Sequence, residues 1–221
     1  MSEQSPSRFG FTVLIGLIAL IGGVMAWAYL NKSEPVSAPP MVSTKQATLL
    51  PELKSLNSFS LTYHNGEKFD NQSLLGHWTF MSFGYTYCPD ICPTTMSLFS
   101  EMSDLLKSRQ TPAPYEVTFV SVDPERDSLK RLSEYVTYFN PDFLGATGPE
   151  PALQKLAKPL GILYQRVETE DSAMGYVMDH SASIILVGPQ GRLHAYFTPP
   201  HDAEMMATDF LAISEHTNKG G

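Results

Sequence analysis

The first regular pattern in the folded part of the chain is an alternation of apolar and polar residues. Phe59, Leu61 and Tyr63 alternate with polar neighbours, as in a strand with one buried face. The sequence His-Asn-Gly at 64–66 then supplies residues that favour a tight turn before a second short strand at 68–69. The pattern therefore predicts that the domain opens with a β-hairpin.

Two strand-then-helix units follow this hairpin. The β-rich run 78–83 leads through a loop into a helical spacing of apolar residues over 93–106. A second apolar run, 117–122, precedes another helical pattern that ends near residue 140. Two such units in series place their strands parallel in one sheet, so the expected fold class is α/β.

The C-terminal third mixes short elements. A short helical pattern stops at Gly161 and is followed by a predicted strand at 162–164. Polar and acidic residues over 168–179 predict a loop. The segment 183–197, with Gly-Pro-Gln-Gly at its centre, predicts a terminal hairpin, and apolar spacing over 202–213 predicts a last helix.

The N-terminus contains an apolar stretch of a different kind. Residues 9–30 carry no charge, and as a helix they would span about 33 Å, which matches the hydrocarbon core of a bilayer. The Ala-Trp-Ala sequence at 26–28 resembles a signal-peptidase site, but the run exceeds a typical signal-peptide core, which favours an uncleaved anchor. We expect a single-pass protein of the cytoplasmic (inner) membrane, with its large domain facing the periplasm.

Prolines at 35, 39, 40 and 51 divide the anchor from the domain and favour an extended tether. The predicted organisation is therefore a cytoplasmic N-terminus at 1–8, an anchor at 9–30, a Pro-rich tether at 31–55, a folded domain at 56–215 and a flexible tail at 216–221.

Composition narrows the function classes. The 221 residues include 23 acidic and 15 basic side chains, for a formal net charge of −8. No cluster of Lys and Arg provides the positive surface that nucleic-acid binding requires, so we expect no nucleic-acid partner.

The two cysteines of the chain, Cys88 and Cys92, directly follow the first predicted strand. If a helix begins at or just after Cys88, this spacing places both thiols on one helical face. A helix N-terminus also stabilises a thiolate. Such a pair binds a metal ion or forms a disulfide, and the spacing alone leaves both chemistries open.

Three motifs in order extend this picture. They are Gly-Tyr-Thr-Tyr-Cys-Pro-Asp-Ile-Cys-Pro at 84–93, Ser-Val-Asp-Pro-Glu-Arg-Asp at 121–127 and Asp-His-Ser at 179–181. Together the motifs resemble those of the SCO/SenC family. The resemblance implies a thioredoxin-like domain, preceded here by the hairpin and the anchor, and it implies copper binding through Cys88, Cys92 and His180. It also implies a metallochaperone that assists assembly of the dinuclear copper centre of cytochrome c oxidase, whose copper-site subunit would be the partner.

Two thiolates and one imidazole form a soft, three-coordinate set that favours Cu(I), leaves Cu(II) open, and lacks the fourth protein ligand of structural zinc. Asp90 and Asp179 are secondary candidates beside the ligands, as are three methionines, Met96, Met174 and Met178. Asp123 follows the second strand of the parallel pair, where α/β folds place their sites. There it would orient the copper loop, contact a partner or cap the next helix.

The rival function is a thiol-disulfide oxidoreductase in which Cys88 and Cys92 form the redox pair and reduce the cysteines of the oxidase copper site. Ordinary thioredoxins place two residues between their cysteines, whereas this chain has three, and they need no histidine at position 180. A second copper chaperone or a thiol reductant is a further expected partner. The sequence therefore favours copper delivery over enzymatic activity.

Overall fold

The structure is a computed structural model, and it describes residues 22, 23, 25, 27, 42–169 and 175–219. The chain divides into two units, 1–41 and 42–221, and the second contains the sheet and its helices. Of the predicted membrane span at 9–30, residues 22, 23, 25 and 27 are helical, and the rest lies outside the described residues. Among the described residues, no helix has the length and apolar character needed to cross a membrane.

Strands and helices of the second unit alternate along the chain. In order they are β1 (Ala47–Ser55), β2 (Ser60–Tyr63), β3 (Lys68–Asp70), β4 (Trp78–Gly84), α1 (Ile91–Ser108), β5 (Tyr115–Ser121), α2 (Leu129–Phe139), β6 (Leu144–Thr147), α3 (Glu150–Ala157), β7 (Tyr164–Glu168), β8 (Tyr176–His180), β9 (Ile184–Val187), β10 (Arg192–Phe197) and α4 (Ala203–Lys219). Short 3₁₀ helices occupy Asn71–Leu74 and Lys158–Leu160.

One eight-stranded sheet has the order β1-β10-β9-β4-β5-β6-β2-β3. At its centre β4, β5 and β6 run parallel, as the two strand-then-helix units predict. The strands outside this trio pair antiparallel. Strands β7 and β8 form a separate two-stranded sheet. The mixed sheet with crossover helices confirms the predicted α/β class.

Each face of the main sheet has its own buried core. Alternate residues of β4 point to opposite faces, so Phe80 joins one core and Met81 the other. On the first face Phe80 lies in a core with apolar residues of α1, α2 and α4, and its ring packs against those of Phe99 and Phe210. On the second face Met81 lies in the core that includes Leu156 of α3. The central strand is therefore buried on both sides.

The predicted N-terminal hairpin is present as β2 and β3. The two strands pair antiparallel, with Leu61 opposite Phe69. Gly66 has φ +89°, a value that glycine adopts without a steric penalty, which explains its place in the turn. The hairpin extends the main sheet because β2 also pairs with β6.

The sheet begins earlier than residue 56. Strand β1, Ala47–Ser55, lies within the segment predicted as a tether and pairs antiparallel with β10. The buried carboxylate of Asp209, on α4, accepts hydrogen bonds from the backbone N–H groups of residues 45, 46 and 47, each at 2.7 Å. A partner about 160 residues away holds this strand, so local patterning does not reveal it.

Three further elements differ from the sequence prediction. The segment 168–179 is not a continuous loop, because β8 occupies Tyr176–His180 and pairs with β7. The strand predicted at 162–164 begins only at Tyr164. The expected tail at 216–221 is helical as far as Lys219, because α4 extends beyond residue 213.

Candidate metal centre

The first cysteine lies in the loop that leaves the C-terminal end of β4. Cys88 donates its backbone N–H to the Tyr85 carbonyl at 3.2 Å, which closes a turn. Thr86 holds the loop to the protein, because its N–H and hydroxyl donate to the buried carboxylate of Asp127 at 2.9 and 2.6 Å. Cys88 is half-buried, so its sulfur lies at the border between the loop and solvent.

The second cysteine belongs to the helix. Helix α1 begins at Ile91, so Cys92 is its second residue and Cys88 precedes it. The two thiols therefore do not share a helical face, as a helix beginning at Cys88 would require. The folded loop instead brings Cys88 Sγ to 3.5 Å from the Cys92 backbone nitrogen. Cys92 itself is buried.

Gly84 makes room for the Cys92 sulfur. A Cβ atom built on Gly84 would lie 2.7 Å from Cys92 Sγ and 2.8 Å from the Phe119 ring. Both distances are far below ordinary contact distances of about 3.5–4.0 Å. The missing side chain at the end of β4 thus lets the sulfur lie directly against the strand.

The third group, His180, ends strand β8. Its Nε2 lies 3.4 Å from Cys92 Sγ, and its Nδ1 lies 3.2 Å from the carbonyl oxygen of Ser181. A carbonyl only accepts, so the Nδ1 contact assigns the proton to that atom and leaves the Nε2 lone pair directed at the sulfurs. A backbone acceptor that orients a histidine in this way is typical of metal ligands.

Cys88, Cys92 and His180 form one compact cluster. Their ligand atoms all lie within 4.8 Å of one another. In the part of the chain that the structure describes, no other group of three His, Cys, Asp or Glu side chains comes together in this way. Two sulfurs and one imidazole nitrogen suit a soft ion such as Cu(I).

The two thiols are electrostatically unequal. The hydrogen bond from Cys92 is the main cause that lowers the pKa of Cys88 well below its usual range. The same hydrogen bond, together with burial, raises the pKa of Cys92. Cys88 is therefore the thiolate of the pair. Cys92 keeps its proton until metal binding or disulfide formation removes it.

Two cavities adjoin the cluster of Cys88, Cys92 and His180. Behind it, Ser82, Cys92, His180 and Ser183 help to line a cavity of about 10 Å³, which holds no more than one water. A second cavity, a groove of about 480 Å³, is lined by His180 and by residues at the start of β7 but by neither cysteine. Of the two cysteines, Cys88 is half-buried and Cys92 is buried, so an incoming group reaches the Cys88 side of the cluster more readily.

The secondary candidates lie outside the cluster. Asp90 and Asp179 are exposed. Asp123 is buried and accepts from the Tyr176 hydroxyl at 2.9 Å and from the Arg126 guanidinium. It does not cap the next helix, because Ser128 has that role.

The candidate methionines also lie outside the three-residue cluster. Met96 is fully buried in the first core, and Met178 packs against both cores. Met174 lies outside the described residues.

Sequence reasoning missed two contributors to this region. Gly84 lies in the first motif, but only the structure reveals that the Cys92 sulfur occupies the space that a side chain at position 84 would fill. Tyr176 carried no sequence signal, because it lay in a stretch interpreted as a loop. Its contacts with Asp123 and Arg126 join segments about 50 residues apart.

Comparison with known proteins agrees with this geometry. A family model described as SCO1/SenC matches residues 49–215. An SCO2-like protein of Rickettsia conorii is 31% identical over 195 residues, which cover 87% of this chain and 93% of that protein. The mitochondrial SCO1 homolog 1 of Arabidopsis thaliana is 34% identical over 148 residues, covering 67% of this chain but only 43% of the plant protein.

Among solved structures, the chain is similar to Arabidopsis thaliana ScoI with copper bound. The TM-score is 0.67 at 31% identity, and the match covers 72% of this chain and 98% of the solved chain. The likeness confirms the expected thioredoxin-like fold. From the family model, the two relatives and this structure, the chain belongs to the SCO1/SenC family.

Proposed function

We propose that this protein is a membrane-anchored copper metallochaperone that assists assembly of the dinuclear copper centre of cytochrome c oxidase. One observation carries the proposal: a cysteine loop, a helix and a distant strand bring the ligand atoms of Cys88, Cys92 and His180 within 4.8 Å of one another. The copper-bound Arabidopsis relative supports copper as the ion. Copper is the cargo here, and the copper-site subunit of the oxidase is its recipient.

The chain's own residues have distinct parts in this function. Cys92 is buried against Gly84 and supplies a fixed sulfur. His180 supplies a nitrogen oriented by the Ser181 carbonyl. Cys88 is half-buried at the solvent border, so an incoming thiol from a recipient reaches its side of the ion first. Loading and release therefore occur on the Cys88 side.

Copper binding by the full-length protein tests the proposal. Under anaerobic, reducing conditions, titration of Cu(I) against a competing chelator should give one ion per chain, and X-ray absorption should find two sulfur neighbours. His180→Ala should weaken binding, whereas His216→Ala, on α4 and outside the cluster, should not. Stoichiometric zinc in place of copper, or equal affinities for His180→Ala and the parent, would contradict the assignment.

A cellular measurement addresses the recipient. A strain carrying His180→Ala should produce cytochrome c oxidase with depleted copper, and a strain carrying His216→Ala should not. Normal copper loading of the oxidase in the His180→Ala strain would exclude delivery through this site.

A thiol-disulfide oxidoreductase is the second candidate, favoured by the unequal exposure of the two cysteines. The Cys88 thiolate would attack a disulfide of the recipient, form a mixed disulfide and release one recipient thiolate. Cys92 would then lose its proton and attack Cys88 Sγ, which forms the Cys88–Cys92 disulfide and releases the second recipient thiolate. Two electrons pass to the recipient, and a thiol reductant restores this chain. Retention of thiol exchange in His180→Ala, together with weaker copper binding, would separate the two activities.

The membrane anchor at 9–30 belongs to the same proposal. An uncharged stretch of this length supports a single span in the cytoplasmic membrane with the copper domain on the periplasmic side. The full-length protein should remain in the membrane fraction after carbonate extraction. In cells with a permeabilised outer membrane, added protease should degrade its domain, and protection from the protease would refute the orientation.

A further inference from the structure

His180 is carried by a hairpin that lacks strand pairing with the main sheet. Strands β7 and β8 pair only with each other in the part of the chain that the structure describes. Both cysteines, by contrast, follow the C-terminal end of β4 in the centre of the main sheet, Cys88 in the loop and Cys92 in the first turn of α1. The short connection from His180 to β9, together with side-chain contacts of the hairpin, therefore sets the distance between His180 and the two sulfurs.

A buried group of these contacts involves Arg126 and Tyr176. The Arg126 guanidinium carbon lies 3.5 Å from the centroid of the Tyr176 ring. Arg126 Nη1 also donates to the Tyr176 backbone carbonyl at 3.1 Å. Its side chain is only 9% exposed, and a cation stacked on an aromatic ring gains more when both are removed from water.

Asp123 completes this arrangement. Its carboxylate accepts the Tyr176 hydroxyl at 2.9 Å and also accepts from Arg126 Nε. The Asp123 side chain is 3% exposed, so loss of either donor would leave a buried carboxylate partly unpaired. Tyr176 is thus fixed through its ring, its hydroxyl and its carbonyl.

The same short turn also holds the cysteine loop. Asp127 accepts two hydrogen bonds from Thr86, which lies two residues before Cys88. Asp123 and Asp127 are joined by a backbone hydrogen bond of 3.0 Å. Residues 123–127 therefore contact both the segment that carries Cys88 and the hairpin that carries His180.

Other contacts of the hairpin are exposed or less directional. The Tyr164 hydroxyl donates to Glu150 on α3 at 3.0 Å, but this hydrogen bond is exposed. Met178 packs against the two cores, but apolar contact does not fix an orientation by itself. Arg166 lies 3.7 Å from the Tyr176 ring centroid and pairs with Glu125 at 3.0 Å, but both charged side chains are largely exposed. Exposed pairs of this kind contribute little.

We propose that residues 123–127 form a positioning clamp that sets the distance between His180 and the two cysteines. In this clamp, Asp127 fixes the cysteine loop, while Asp123 and Arg126 fix the hairpin through Tyr176. The inference rests on the proposed copper function only for its consequence, which is the correct placement of a metal ligand. The clamp itself is a property of the metal-free protein.

The test compares variants of the full-length protein. Tyr176→Phe removes the hydroxyl bond to Asp123 and keeps the ring, whereas Arg126→Met removes the guanidinium and keeps an apolar stem. The matched control is Tyr164→Phe, in the same hairpin, because the Tyr164 hydroxyl bonds Glu150 on α3 at 3.0 Å rather than the clamp.

The metal-free readout is amide hydrogen exchange. Exchange at residues 176–180 should accelerate about tenfold in Tyr176→Phe and more in Arg126→Met, while β4 and β5 keep the parent rates. Tyr164→Phe should exchange like the parent at these residues. Parent rates in Tyr176→Phe would overturn the clamp, and this variant decides the matter if Arg126→Met does not fold.

The metal readout is ligation by His180. With Cu(II) added, the nitrogen hyperfine coupling of His180 in the electron paramagnetic resonance spectrum should weaken in Tyr176→Phe and remain in Tyr164→Phe. Faster exchange combined with unchanged coupling would refute the positioning role. If the parent binds no copper, the proposed function fails, and hydrogen exchange alone decides whether the clamp exists.

Discussion

Replacement of Gly84 by alanine should damage the metal centre more than the fold. The new Cβ would lie 2.7 Å from Cys92 Sγ and 2.8 Å from Phe119 Cε2. The sulfur must therefore retreat by about 1 Å to reach an ordinary contact distance. Neither neighbour is a flexible chain end, because Cys92 is in the first turn of α1 and Phe119 is in β5.

Two opposing terms set the size of the stability effect. Overpacking of a buried site costs about 1–3 kcal/mol. Replacement of a glycine in a strand interior by alanine returns about 0.5–1 kcal/mol, which is an upper limit for Gly84 because it ends β4. We therefore expect the free energy of unfolding to fall by about 1–2 kcal/mol, which leaves the protein folded.

The variant should lose a larger share of its copper affinity than of its stability. A displaced Cys92 sulfur moves away from His180 Nε2, which lies 3.4 Å from it. Disturbance of the groups that orient a ligand typically costs about 10–100-fold in metal affinity. Competitive Cu(I) titration of Gly84→Ala measures this loss, and urea unfolding measures the accompanying change in stability.

Gly145→Ala is the matched control. Gly145 also lies in a parallel strand under a helix, and its added Cβ would lie 3.2 Å from Leu132 and Val136, away from the metal ligands. It should change stability to a similar or smaller extent and leave copper affinity unchanged. If folded Gly84→Ala binds Cu(I) within about twofold of the parent, the steric reasoning for Gly84 is wrong.

Two predictions concern stability away from the metal. Burial lowers the pKa of His194 to about 4, so the unfolded chain takes up a proton near pH 6.5 before the folded protein does. Stability therefore falls as pH falls through this window, by about 2 kcal/mol at pH 5. Urea unfolding at pH 7 and pH 5 should detect a correspondingly smaller loss in His194→Gln, and equal losses would contradict the assignment. Asp209→Ala removes the acceptor of three backbone N–H groups and should lower the free energy of unfolding by about 3 kcal/mol. Asp209→Asn, which keeps one carbonyl oxygen, should lose less, and a loss below about 1 kcal/mol in Asp209→Ala would show that the carboxylate does not hold β1.

Elements with a local signal were predictable. The β2–β3 hairpin follows from alternation and a glycine turn, and α1 follows from apolar residues at helical spacing. Both signals lie within a few residues of the element that they specify. Strand β1 has no such signal, because most of its residues are exposed and its partners, β10 and Asp209, are remote.

The residues of the candidate site were predictable, but their arrangement was not. The resemblance to the SCO/SenC family identified the three clustered residues, Cys88, Cys92 and His180. Their spatial arrangement was not predictable, because a loop rather than a helical face joins the cysteines. Strand β8 was missed because Tyr176 is held by residues of a turn about 50 positions earlier.

The pairing of β1 has a consequence for the order in which the domain forms during synthesis. Strand β1 pairs with β10, and the carboxylate at its start comes from Asp209, near the C-terminus. As the chain emerges from the ribosome, β1 is made first among the strands of the described residues, and its partner β10 is made last among them. Contacts of such long sequence separation slow folding. The edge strand β1 is therefore completed only after β10 and α4 have been made.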